Sequence, residues 1–116
     1  MPHLRILYKE EKVNGDILNN LVDELIGVVA KHFNENPKYV SADIISQSKF
    51  VRNRKDVDLE LDASPDSAGQ RSEAACDLSL ELGKTLQVLL KKRGVNCEVS
   101  SWVRIFSKAE YAYIEL

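Results

Sequence analysis

Asp56-Val57-Asp58-Leu59-Glu60-Leu61-Asp62 alternates without a break, with Val57, Leu59 and Leu61 set between carboxylates. Successive side chains of a strand point to opposite faces, so this stretch predicts a β-strand with one buried and one acidic face. Ser64-Pro65-Asp66-Ser67 ends it and offers capping side chains to a following helix. The spacing of Ala75, Leu78, Leu82, Leu86, Leu89 and Leu90 predicts that helix over about Ser67 to Arg93, with one apolar stripe. Lys91-Lys92-Arg93-Gly94 stops it. Cations suit the negative end of a helix dipole, and glycine readily takes the left-handed conformation that closes a helix. A strand over about Asn96 to Phe106 completes a strand–helix–strand unit.

The same order appears toward the N-terminus. His3-Leu4-Arg5-Ile6-Leu7-Tyr8-Lys9 reads as a strand, with Leu4, Ile6 and Tyr8 on one face and His3, Arg5 and Lys9 on the other. Asn14 or Asp16 caps a helix over about Ile17 to Phe33, whose stripe is Ile17, Leu18, Leu21, Val22, Leu25, Val28, Val29 and His32. Asn34-Glu35-Asn36-Pro37 ends it, because proline lacks an N–H and disfavours a helical residue before it. A less regular alternation predicts a second strand from Tyr39 to about Val51. The cationic loop Arg52-Asn53-Arg54-Lys55 then leads back to Asp56.

The fold class expected from this order is α+β, a single domain over 1–116 with a pseudo-repeat at 1–51 and 56–107. Two β-α-β units side by side build a four-stranded mixed sheet with both helices on one face. The other face stays bare and carries Trp102 and Phe106, and small domains often cover such a face by oligomerising. If the first and third strands pair, Arg5 and its neighbours meet the acidic row. Tyr111, Tyr113 and Ile114 suggest a further short strand over Lys108 to Leu116.

Composition narrows the function. Sixteen Lys and Arg against eighteen Asp and Glu leave a net charge of -2, which argues against a nucleic-acid partner. No apolar run is long enough to cross a bilayer, so no membrane partner is expected. No signal-peptide core follows Met1, and a cytoplasmic location is the expectation. Cys76 and Cys97 are too few for a disulfide framework and lack metal-site spacing; both read as small apolar residues. Carboxylates two apart on a strand stand about 6.6 Å apart, which makes a stripe rather than a metal cage. No metal or cofactor is expected.

Pro2 is the main candidate for chemistry; the alternative is that Met1-Pro2 is only a processing signal and a strand start. Removal of Met1 would leave Pro2 a free secondary amine, and burial or nearby cations lower an amine's pKa toward neutrality. Such an amine can take a proton from carbon beside a carbonyl and return it elsewhere. Met1-Pro2-His3-Leu4 opens the first strand, Asn36-Pro37-Lys38-Tyr39-Val40 enters the second, and Ser67-Ala68-Gly69-Gln70-Arg71 begins the second long helix. With these segments in this layout, the chain resembles the tautomerase superfamily. That group includes 4-oxalocrotonate tautomerase, 5-carboxymethyl-2-hydroxymuconate isomerase and macrophage migration inhibitory factor (MIF).

The resemblance implies a tautomerase/MIF-like fold, a homotrimer, and Pro2 as the catalytic base. It also implies a small keto or enol acid as substrate. Family members usually hold their acidic substrate with arginines, one of them just after the third strand. Asp62-Ala63-Ser64-Pro65-Asp66 has no arginine there, and Arg71 matches a structural position. The candidates for the substrate carboxylate are therefore Arg104 and the 52–55 loop, with Arg52 and Arg54. Arg104 lies between Trp102 and Phe106, placed to bind an anion or to stack across a subunit contact. The loop cations either reach a neighbouring subunit's site or are simply solvated. Asp43 lies early in the second strand, where some relatives place a polar active-site group; the alternative is a solvated carboxylate. His32 reads as a partner of its own helix dipole. The other functional reading is a non-catalytic metabolite-binding or assembly module, since ferredoxin-like domains share this element order.

Overall fold

Leu4, Ile6 and Tyr8 turn into the core from the first strand, β1 (His3–Tyr8). This computed structural model describes residues 2–48, 54–64 and 69–106. After β1 come α1 (Gly15–Phe33), a single 3-10 turn at Pro37–Tyr39, β2 (Ser41–Ser46), β3 (Val57–Ala63), α2 (Gln70–Lys92) and β4 (Val99–Ile105). The sheet order is β2-β1-β3-β4. β1 runs parallel to β2 and antiparallel to β3, and β3 runs parallel to β4. Each half therefore places its first strand at the centre and carries its second to the edge through a helix. Both helices pack on each other and on the same sheet face. Leu18, Leu21, Leu25 and Val29 of α1 and Leu78, Leu82, Leu86 and Leu90 of α2 are buried against Leu4, Ile6, Leu59 and Leu61. That face is the one the strand alternation predicts, and the fold is the expected α+β four-stranded mixed sheet.

The element ends show local chemistry at work. The Asn14 side chain accepts the Asp16 N–H, so Asn14 rather than Asp16 caps α1, and the helix starts at Gly15. Both helices close in the same way. Asn34 (φ 51°) and Gly94 (φ 75°) take left-handed conformations. The N–H of Glu35 reaches back to the Ala30 carbonyl and that of Val95 to the Leu90 carbonyl, each at 2.9 Å, satisfying carbonyls a helix end would otherwise orphan.

The structure moves several expected boundaries. Tyr39 belongs to the 3-10 turn, where the Asn36 side chain accepts the Lys38 N–H, so β2 begins at Ser41. β2 ends at Ser46, level with the end of β1. α2 begins at Gln70 after Gly69 (φ 71°), which has no capping side chain. β4 occupies only the middle of its expected span. Arg52, Ser67 and the expected strand over Lys108 to Leu116 lie outside the described residues. His32 finds its partner on the other helix, at the Glu81 carboxylate. Arg71 is structural: it donates to the Ser64 carbonyl at 2.9 Å and to Glu35 at 3.0 Å, and lies over the Phe33 ring.

Candidate functional site

The sheet face away from the helices carries His3 and Arg5 from β1, Ser41 and Asp43 from β2, Asp58, Glu60 and Asp62 from β3, and Ser100, Trp102 and Arg104 from β4. Pleating forces this alternation, and the pairing register lines the residues into rows. One row runs Ser41–His3–Asp62–Arg104 across the sheet. Pro2 sits one residue outside that row, at the end where β1 begins and β3 and β4 finish. It is buried, and its carbonyl accepts the Ser41 N–H at 3.0 Å.

Three polar groups occupy the face. Beside Pro2, His3 bridges the two edge residues. Its Nδ1 lies 2.7 Å from Ser41 Oγ, and its Nε2 lies 3.1 Å from Asp43 Oδ2. Asp43 is largely exposed, 63% for its side chain. In the second group, Asp62 gathers two arginines. Arg5 Nη2 reaches Oδ2 at 2.5 Å, Arg104 Nε donates to Oδ1 at 2.9 Å, and Arg104 Nη2 donates to Oδ2 at 3.3 Å. Burial pushes the Asp62 carboxyl up, but the hydrogen bonds and charges of Arg5 and Arg104 outweigh it and hold it below the usual aspartate value. The pairing of Arg5 with the acidic strand expected from charge alternation is present.

Further along β3, Arg54 Nη1 donates to Asp58 at 2.6 Å, and Ser100 Oγ donates to the other Asp58 oxygen at 2.8 Å. These contacts account for a carboxylate only 4% exposed on an otherwise open face. Arg54, Asp58, Glu60, Ser100, Trp102 and Arg104 line a groove of about 450 Å³. Trp102 is 60% exposed in it.

The structure thus places the candidates in two locations. Asp43 lies with His3 at the Pro2 end. Arg104 lies in the row next to Pro2, two strands from His3, which is about 10 Å at ordinary strand spacing. Arg54 shares the groove with Arg104 but precedes Val57, which pairs with Tyr8 at the far end of β1, so one chain does not bring Arg54 to Pro2. Arg5 was missed as a site residue. Its place among polar residues on β1 signalled a bare-face position, but its convergence with Arg104 spans residues far apart in sequence. Among the described residues, no group of three or more His, Cys, Asp or Glu is arranged to hold a metal ion. Both cysteines are free thiols; burial, with Asp56 nearby, pushes the Cys97 thiol up. No helix among the described residues is long and apolar enough to cross a membrane.

No protein-family model matches the chain, and no curated protein matches it either. Solved structures do. The chain superposes on a 5-carboxymethyl-2-hydroxymuconate isomerase from Deinococcus radiodurans R1 with a TM-score of 0.64 and 14% identity, over 99% of this chain and 90% of that one. The macrophage migration inhibitory factor-like protein of Entamoeba histolytica gives 0.59 at 13% identity, over 97% and 95%. A fused 4-OT described as a symmetric trimer gives 0.64 at 14% identity, over 96% and 90%. The chain therefore has the tautomerase/MIF-like fold. At such identities the likeness reaches the fold and stops there.

Proposed function

We propose that this protein is a cofactor-independent tautomerase or isomerase that moves a proton on a small keto or enol acid. Pro2, freed by removal of Met1, is the base. The observation that carries this reading is the position of Pro2: buried, at the opening of β1, in a fold shared with an isomerase and a MIF-like protein. Its nitrogen lone pair takes the proton from the carbon beside the substrate carbonyl, and the electrons of that C–H bond form the enolate. The protonated amine then returns the proton to another atom of the enolate. Burial disfavours the ammonium and keeps the amine basic near neutral pH.

Arg104 holds the substrate carboxylate and Asp43 supplies a polar contact at the Pro2 end. Arg54 and Arg52 serve a site completed by a neighbouring copy, in a homotrimer located in the cytoplasm. The test is keto–enol interconversion of phenylpyruvate by untagged protein whose mass shows Met1 removed, beside Pro2→Ala. Turnover that disappears in the variant supports the base; an unchanged rate overturns it.

A second reading draws on one feature: Arg5, Arg54 and Arg104 each already pair with a carboxylate. That arrangement favours a non-catalytic metabolite-binding or assembly module. Ligand-dependent thermal stabilisation with no turnover, unaffected by Pro2→Ala, would select it.

A further inference from the structure

We infer that Arg71 is a positioning residue for Pro2: it fixes the chain on both sides of the Pro2 amine and draws the Ser64 carbonyl away from it. Three parts of the chain meet at this guanidinium. Nη1 donates to the Ser64 carbonyl at 2.9 Å and to the Ser64 hydroxyl at 3.4 Å, just past the end of β3. Nη2 donates to Glu35 at 3.0 Å, in the segment that closes α1, and the Phe33 ring lies 5.2 Å from the guanidinium carbon. Arg71 itself belongs to the first turn of α2. Its side chain is only 14% exposed. The joint lies on the helix side of the sheet, so a copy packed on the open face leaves it in place.

Each grip leads to one side of Pro2. On one side, the segment fixed at Glu35 runs through the 3-10 turn to Ser41, whose N–H donates to the Pro2 carbonyl at 3.0 Å. On the other side, His3 pairs with Asp62, and two further steps of that antiparallel register set Ser64 level with the Pro2 nitrogen. Main-chain groups of successive strand residues point to opposite neighbours. The Ala63 carbonyl accepts the Phe106 N–H from the β4 side, so a continued strand would turn the Ser64 carbonyl toward β1 and the amine. Arg71 takes that carbonyl instead. A carbonyl facing the amine would stabilise its ammonium form, and so would a carboxylate without a counter-charge. Arg71 occupies the first and neutralises Glu35, and both effects keep the freed amine ready to accept a proton. Charged groups from the other elements at this end are His3 and Asp43, the Asp62 cluster with Arg5 and Arg104, and Lys38 of the 3-10 turn. All of them stay when Arg71 is replaced.

This inference rests on Pro2 as the base, and its test reads the amine directly. The chain has three prolines, and only an N-terminal one carries an amine that titrates. The Pro2 nitrogen shift is followed by NMR against pH in isotope-labelled full chain whose mass shows Met1 removed. Phenylpyruvate turnover is measured over the same pH range.

Arg71→Gln should raise the midpoint of the amine titration by about half a unit or more, and Arg71→Lys by less, since lysine keeps the charge and loses the fork. Glu35→Gln leaves Arg71 on Ser64 and should not raise it. The rising limb of the pH–rate profile should move with the midpoint. Asn14→Ala, which removes a cap at the far end of β1, should leave the midpoint where it is. Far-ultraviolet circular dichroism confirms that each variant is folded. An unmoved midpoint in folded Arg71→Gln, or in Arg71→Lys where the first does not fold, overturns the role of Arg71. An equal shift in Asn14→Ala overturns it too, since general loosening would then suffice. A midpoint that moves in a chain without turnover leaves Arg71 standing and removes the catalytic reading; turnover with an unmoved midpoint does the reverse. Met1 retained in the mass overturns both, because Pro2 is then an amide.

Discussion

β1-α1-β2 and β3-α2-β4 each bury one face of their strands under one helix, yet their open faces carry different chemistry. In the first half, apart from Arg5 reaching across to Asp62, the polar groups link neighbours: Ser41, His3 and Asp43 form a short hydrogen-bonded chain beside Pro2. In the second, carboxylates on β3 are clamped by arginines, and an exposed Trp102 stands between the clamps. The cores are built alike, with fully buried leucines on both helices. The lesson is that burial fixes the scaffold twice over, while the face that escapes burial is free to diverge.

The largest expected effects test the likeness of the cores. Leu21→Ala and Leu82→Ala remove side chains that are 2% and 0% exposed, and each should cost about 2–5 kcal/mol in chemical denaturation. A much smaller loss in one of them would show that its half packs more loosely.

Glycines sharpen the contrast next. A Cβ at Gly15 would fall on the hydroxyl end of the Tyr8 ring, and Tyr8 is only 9% exposed. Gly15→Ala should therefore destabilise by about 1–3 kcal/mol. Gly83, in the middle of α2, is slack. A Cβ at Gly83 meets only Ser101 Cβ at 3.6 Å, so Gly83→Ala should stabilise by about 0.5–1 kcal/mol through helix propensity. Paired thermal melts read both signs.

The helix starts differ as well. Asn14→Ala removes the side-chain cap of α1 and should cost about 1 kcal/mol.

The smallest effect is expected in pH dependence. Because the folded Asp62 carboxyl lies below its ordinary value of 3.8, its stabilising contribution is present above that pH and is lost as pH falls through the folded value. The stability difference between the parent and Asp62→Asn should shrink as denaturation is measured at successively lower pH below 3.8. A constant difference would mean that the Arg5 and Arg104 clamps do not depend on the Asp62 charge. Glu81 should behave in the same sense, since the His32 hydrogen bond holds it below the usual glutamate value despite burial, with help from the charges of His32 and Lys31.

Much of the fold is legible in the residues taken in order. Period-two runs at Leu4–Tyr8 and Val57–Leu61 and the leucine spacing of α2 identify strands, helix and core face, because these patterns depend on neighbours only a few residues away. Asn14 and Gly94 mark helix ends for the same local reason. β2 was less legible. Its edge position exposes residues on both faces and blurs the alternation, and the Asn36 cap draws Tyr39 into a turn.

By itself, the sequence determined the two strand–helix–strand halves, their buried faces, and the acidic row on β3. Which arginine meets which acid is set by the folded arrangement of the strands. Arg5 lies 57 positions from Asp62 and Arg104 lies 42, so their convergence depends on β1 pairing antiparallel with β3 while β4 pairs parallel on its other side. The same pairing decided that Asp58 is buried under Arg54 and Ser100, and that Pro2 and Arg54 lie at opposite ends of β1. Periodicity assigns a side chain to a face. Register, which follows from packing the two halves together, assigns its partners.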